Sequence, residues 1–131
     1  MATLLRPEPD RIDLGRAPDP VLSNRPIDGS RYWSHAFMER EWDRIWTRAW
    51  LIGGLVSQVE QPGDFFTYEI GRESILVTRG DDGMIRAFYN VCPHRGKRLV
   101  MEEQGNSKRI ACSYHGWRFT PEGELNFVPC P

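Results

Sequence analysis

The chain has 131 residues, enough for one domain with a real hydrophobic core. Hydrophobic residues make up 40% and charged residues 27%, ordinary values for a globular protein, and a net charge of −1 leaves no basic surplus to seek nucleic acid or an anionic membrane. The longest nearly apolar run, Ala49 to Val56, is too short to cross a bilayer, and the opening Met-Ala-Thr-Leu-Leu-Arg-Pro lacks a basic-then-apolar leader, so no membrane segment and a cytoplasmic location are expected.

Residues 1–30 hold five of the ten prolines (Pro7, Pro9, Pro18, Pro20 and Pro26) and show no apolar period. They read as an extended or disordered N-terminal arm. Residues 31–60 form a helical N-terminal segment. Within it Met38, Trp42, Ile45, Trp46 and Ala49 recur at steps of three and four, which predicts a helix over 34–50 with Ser34 as N-cap and Gly53-Gly54 as terminator. The same spacing places Trp42 and Trp46, with Trp33 and Trp50, in core packing rather than in an electron relay.

From residue 61 to 131 the pattern changes to short strands. Phe65 to Ile70, Ile75 to Thr78 and Met84 to Tyr89 are rich in aromatic and β-branched residues, and Gly80-Asp81-Asp82-Gly83 supplies a hairpin turn. Arg109 to Cys112, Arg118 to Thr120 and Leu125 to Val128 are shorter candidates, the last entered through Pro121-Glu122-Gly123-Glu124. The expected fold is mainly β: a small antiparallel sandwich or barrel preceded by an N-terminal α-helix.

The three cysteines are an odd number in a chain without an export signal, which disfavours a disulfide framework. Two of them sit beside histidines. Cys92-Pro93-His94-Arg95-Gly96 and Cys112-Ser113-Tyr114-His115-Gly116-Trp117 spell C-x-H, seventeen residues, then C-x-x-H. Each segment follows a predicted strand, so a sheet can hold the two loops side by side. Thiolate is a soft, strong ligand for ferric iron and imidazole a neutral one. The set suits a two-iron, two-sulfide cluster of Rieske type, with Cys92 and Cys112 on one iron and His94 and His115 on the other. Two neutral imidazoles in place of two thiolates remove two negative charges and raise the potential. Arg95, as a neighbouring cation, would favour the reduced state. Gly96 and Gly116 allow the backbone to approach closely and reach positive φ, Pro93 stiffens the first loop, Trp117 can wall the cluster from water and Tyr114 can hydrogen-bond near it. The plainer reading of two Cys and two His is structural zinc, although zinc fingers usually pair Cys with Cys and His with His.

Asn90 to Gly96 together with Cys112 to Trp117 resemble the Rieske motif of the large (α) subunits of aromatic-ring-hydroxylating oxygenases. Tyr32, the Trp-rich helix, Trp50, Gly63-Asp64, Asp82-Gly83 and Ala87-Phe88-Tyr89-Asn90 extend the resemblance over about residues 30 to 131. It implies one-electron transfer from NAD(P)H, through a flavin reductase and sometimes a ferredoxin, to a Rieske [2Fe–2S] cluster. From there electrons pass to a mononuclear non-haem Fe(II), where O₂ attacks an aromatic or related substrate. It implies a parent oligomer that is a homotrimer or α3β3, in which the Rieske domain of one subunit feeds the iron of the next. His115 looks like the histidine that meets a bridging aspartate of that neighbour, the electron exit. The catalytic iron needs two His and a carboxylate, and the cluster takes two of the three histidines, leaving only His35. The catalytic domain is therefore expected to lie outside this chain, which holds no catalytic residue of its own. A stand-alone Rieske ferredoxin remains the alternative, disfavoured by the helix and arm over 1–60.

The second loop has Gly116-Trp117 where the Rieske proteins of respiratory and photosynthetic complexes have Gly-Ser, and it lacks their second cysteine pair. Without a serine donor to sulfur, a potential at the low end of the Rieske range is expected. Lys97, Arg98, Lys108 and Arg109 make either a solvated face or a dock for an acidic donor. Cys130 reads as a free thiol and His35 as a surface or packing histidine.

Overall fold

The computed structural model describes residues 26–129; residues 1–25 of the arm predicted over 1–30, and Cys130, lie outside them. Two compact units divide between Met38 and Glu39. In the first, Asp28 accepts a hydrogen bond from the Ser30 amide at 2.9 Å and opens a 3₁₀ turn over Gly29–Tyr32. Ser34 then caps α1 (His35–Glu41), its hydroxyl accepting from the Phe37 amide at 3.3 Å, as the sequence predicted. His35 lies exposed at the start of that helix.

The helix is shorter than its apolar period. Beyond Glu41 it widens into one π-helical turn, Trp42–Trp46, and ends. The Thr47 hydroxyl donates to the carbonyls of Trp42 and Asp43 at 3.0 and 3.3 Å, and the Arg48 side chain donates to Asp43 at 2.9 Å. Side chains thus take the carbonyls that the next helical turn would need. Gly54, predicted to terminate the helix, instead lets the chain lie against the Phe66 ring, where a Cβ would stand 2.5 Å from Cζ. The four tryptophans of this segment, Trp33, Trp42, Trp46 and Trp50, are not core residues. Trp50 is 99% exposed, Trp33 79% and Trp46 43%. Trp42 alone is half-buried, flat against Gly71, with Arg72 over its ring at 5.2 Å. Helical spacing aligns side chains on one face but does not supply a surface to cover them.

The second unit carries two antiparallel sheets. The first has the order β3-β2-β1-β4, with β1 Asp64–Ile70, β2 Glu73–Arg79, β3 Ile85–Tyr89 and β4 Gln104–Asn106. The hairpin between β2 and β3 turns at Gly80 to Gly83, with Gly83 at φ 76°. The second sheet has the order β5-β6-β7, with β5 Ile110–Ala111, β6 Arg118–Phe119 and β7 Leu125–Phe127. Neither sheet closes on itself, so the architecture is that of two small open sheets rather than a barrel.

The sequence does not announce β4. Gln-Gly-Asn has no β-former, yet Gly105 pairs with Phe65 and passes so close that a Cβ would lie 2.8 Å from the Phe65 ring. The core joins both sheets: Phe65 and Leu76 from the first, Ile110 and Phe119 from the second, with Val100 between the loops and Leu99 and Trp117 packed against the cluster. A buried Thr78 hydroxyl donates to the Pro121 carbonyl at 2.6 Å and ties one sheet to the turn of the other. Cys92 and Cys112 belong to the same core, which positions both at its loop-bearing end.

Candidate metal centre

Each loop is a hairpin tip with the same backbone closure. In the first, the bridge Val91 to Arg98 forms the base, the Cys92 amide donates to Lys97 O at 2.7 Å, and the Gly96 amide donates to Cys92 O at 2.9 Å. In the second, β5 and β6 form the base, the Cys112 amide donates to Trp117 O at 2.8 Å, and the Gly116 amide donates to Cys112 O at 3.0 Å. Gly96 and Gly116 hold φ of 68° and 72°, the left-handed conformation that lets each tip turn back four residues beyond its cysteine.

The loops bring the four candidate side chains together in two pairs. Cys92 and Cys112 are 1% and 3% exposed, belong to one buried cluster and form no disulfide, and each thiol shifts the ionisation of the other. The His94 and His115 rings lie outside the core with centroids 4.7 Å apart. Among the described residues no three His, Cys, Asp or Glu side chains gather as a single ion would require.

Burial pushes the Cys92 thiol up, against the amides of His94 and Arg95, which donate to its sulfur. At Cys112 burial also opposes ionisation, but the amides of Tyr114 and His115, the Cys92 thiol and the charge of Lys97 outweigh it and bring the group down. Cys112 is thus the readier thiolate, held by the neighbouring thiol. Desolvation by the rings packed on it, then the positive charges of His94 and Arg95, hold the His115 imidazole below its ordinary value. A neutral ring is the form in which histidine binds metal. Two adjacent sulfurs with amide donors, beside two adjacent imidazoles, fit a diiron cluster with a separate ligand pair for each iron.

Two aromatic neighbours come from the second loop. Trp117 stacks on His94, with centroids 4.8 Å apart and planes 6° from parallel, and Tyr114 packs on His115 at 3.8 Å. Tyr114 meets the site by its ring face. Arg95 acts on His115 through charge. The four cations of the suggested docking patch are not alike: Arg98 is ion-paired with Glu69 and donates to Val100 O at 3.0 Å, whereas Lys97, Lys108 and Arg109 are exposed.

Sequence reasoning passed over Asn90 as a working residue, taking it only as part of a motif. It is 3% exposed. Its side-chain NH₂ donates to Val100 O at 2.7 Å and its side-chain oxygen accepts from the Val100 amide at 2.9 Å, while its backbone amide donates to Ser74 O at 2.8 Å. One side chain thus stands in for a strand at the base of the first loop. The available signal was a polar residue directly after a run of β-formers and two before a candidate ligand.

The profile of the Rieske [2Fe–2S] domain matches residues 49–131. The chain is 50% identical over 91 residues to the large oxygenase component of a naphthalene 1,2-dioxygenase system from Pseudomonas aeruginosa, covering 70% of this chain and 20% of that protein. It is 41% identical over 103 residues to the α subunit of a biphenyl 2,3-dioxygenase from Rhodococcus jostii, covering 79% and 22%. Among solved structures, a naphthalene 1,2-dioxygenase variant bound to phenanthrene aligns with TM-score 0.72 at 44% identity over 76% of this chain and 22% of that one. A quaternary ammonium Rieske monooxygenase aligns with TM-score 0.72 at 36% identity over 77% and 28%. A mainly β iron–sulfur domain is the class that the sheets and loops define. The chain belongs to the Rieske [2Fe–2S] domain family, and it spans about a fifth of the length of the curated relatives it matches.

Proposed function

We propose that this chain is the electron-carrying part of a ring-hydroxylating oxygenase large subunit, and that Cys92, Cys112, His94 and His115 hold its [2Fe–2S] cluster. The observation that carries the reading is the grouping of the donors, the two cysteines in one buried cluster and the two imidazoles in ring contact outside it. A zinc site would need all four on one ion. When bound, such a cluster takes up and releases one electron at a time.

The chain's own residues do the rest. The amides of His94, Arg95, Tyr114 and His115 place donors on the two sulfurs and favour their ionised form. The core behind Cys92 and Cys112 keeps water from the sulfur side, while the histidine edges stay open to a partner. Gly96 and Gly116 hold the loop tips close, and Arg95 adds positive charge that opposes the build-up of negative charge on reduction.

The likeness to dioxygenase large components supports NAD(P)H-driven chemistry on aromatic substrates, with a mononuclear Fe(II) in a catalytic domain beyond these residues and His115 as the exit toward it in a neighbouring subunit. A ferredoxin or flavin reductase would supply the electrons in the cytoplasm, to a parent homotrimer or α3β3 assembly. Among the described residues no helix is long and apolar enough to cross a membrane. Residues 61–131 form the cluster domain in this reading, 31–60 the helical segment before it and 1–30 an arm.

The test is the visible and EPR spectrum of freshly isolated protein, with iron and acid-labile sulfide content. Red-brown protein with the Rieske EPR signal on reduction is expected; colourless, EPR-silent protein containing zinc would overturn the reading. Lys97, Lys108 and Arg109 are the cations open to an acidic donor, and reversing Lys97 to Glu should slow electron uptake and weaken its salt dependence in stopped-flow reduction. Unchanged kinetics would remove Lys97 from the docking surface.

A further inference from the structure

Trp117 belongs to both loops. Its backbone carbonyl accepts from the Cys112 amide at 2.8 Å, which closes the second loop. Its indole crosses to the first loop and lies parallel to the His94 ring, centroids 4.8 Å apart and planes 6° from parallel. It is half-buried and packs against the buried core cluster that includes Cys92 and Cys112. The first loop offers nothing reciprocal. The position that matches Trp117 there is Lys97, whose carbonyl makes the same closure but whose side chain is exposed. His115 has a different neighbour, Tyr114 of its own loop, at 3.8 Å.

We infer that Trp117 is a positioning residue, a splint between the loops that fixes the plane of the His94 imidazole and so its orientation toward the cluster. The physical basis is the flat contact. A parallel ring pair resists rotation of either ring about its bond to the chain, and the core grips the indole from behind. An imidazole held in one plane keeps one direction for its nitrogen lone pair, which is what ligand orientation by surrounding groups requires. Trp117 touches His94 and has no ring contact with His115, so loss of the Trp117 face acts directly on one histidine. The inference rests on the cluster reading given above. Wild-type protein without iron would refute that reading before any variant was compared.

The test uses the full chain carrying its cluster, in the variants Trp117→Phe, Trp117→Leu and Trp117→Met. Iron and sulfide content gives the loading, and pulsed EPR of the reduced protein reads the couplings of the two histidine nitrogens separately. Trp117→Phe keeps a flat face and is expected to retain both couplings. Trp117→Leu and Trp117→Met keep apolar bulk without a face and are expected to shift one coupling and leave the other in place. A general loosening of the fold would move both. Loading by Trp117→Phe but by neither aliphatic variant carries the same conclusion. The inference is overturned if an aliphatic variant loads with both couplings unmoved or both moved together. It is also overturned if Trp117→Phe shifts the coupling as the aliphatic variants do, or if none of the three variants loads, because the indole itself rather than a ring face would then be what the site needs.

Discussion

Two residues beyond its cysteine, the first loop places His94 and the second places Tyr114; one residue further, the first has Arg95 and the second His115. The backbones close alike, with an amide-to-carbonyl bond spanning each tip and a glycine near φ 70° in each. The histidines nevertheless stand at different steps from their cysteines. The shared frame gives each sulfur amides from the residues two and three further on, while the staggered histidines bring the two rings to centroids 4.7 Å apart. A repeated backbone can thus build the symmetric half of a cluster site, and side-chain placement breaks the symmetry for the other half. The loops also differ below the tips: β5 and β6 support the second, whereas one bridge and the Asn90 side chain support the first.

The largest expected effect comes from the equivalent positions. Cys92→Ser and Cys112→Ser should each reduce iron and sulfide content to near zero; one variant loading normally would show that the sulfurs are not equivalent. Next is the unequal support. Asn90→Ala leaves the Val100 amide without its partner, while the Val100 carbonyl keeps Arg98, and should cost about 1–3 kcal/mol in urea unfolding, with faster amide exchange in the first loop than in the second. Equal loosening of both loops would contradict the comparison. The glycines sharpen it further. Either Gly→Ala change places a side chain at positive φ, at about 1–2 kcal/mol. A Cβ at Gly116 also meets Pro129 Cγ at 3.0 Å, while one at Gly96 meets nothing within 4 Å. Gly116→Ala should therefore be the more destabilising in thermal melts, and the reverse order would show that the tips are not held as described. The smallest effect is at Arg95. A unit charge roughly 10 Å away in water is worth about 0.4 kcal/mol, on the order of 20 mV for one electron. Arg95→Ala should lower the midpoint potential by about that much in a redox titration, and no change would remove Arg95 from the electrostatics of the site.

The chemistry was legible in the sequence because it is local. C-x-H and C-x-x-H with a glycine after each mark candidate ligands and turns within six residues. The hairpin at Gly80 to Gly83 declared itself similarly, through φ-permissive residues between β-formers. What depends on a distant partner was not legible. Strand β4 exists because Gly105 fits against the Phe65 ring, forty residues away in the chain. The helix stops where the Thr47 and Arg48 side chains claim carbonyls, a competition that apolar periodicity does not register. The tryptophans illustrate the same limit, since spacing reports a shared face and only packing reports whether anything covers it.

Asn90 carries one more implication, for the chemical ageing of the protein. Its amide is aimed in a single sense, NH₂ toward the Val100 carbonyl and oxygen toward the Val100 amide. Deamidation to aspartate would put a carboxylate oxygen where that NH₂ stands and set acceptor against acceptor in a dry interior. A spontaneous hydrolysis of one side chain, with no change of bulk, would untie the root of the first loop.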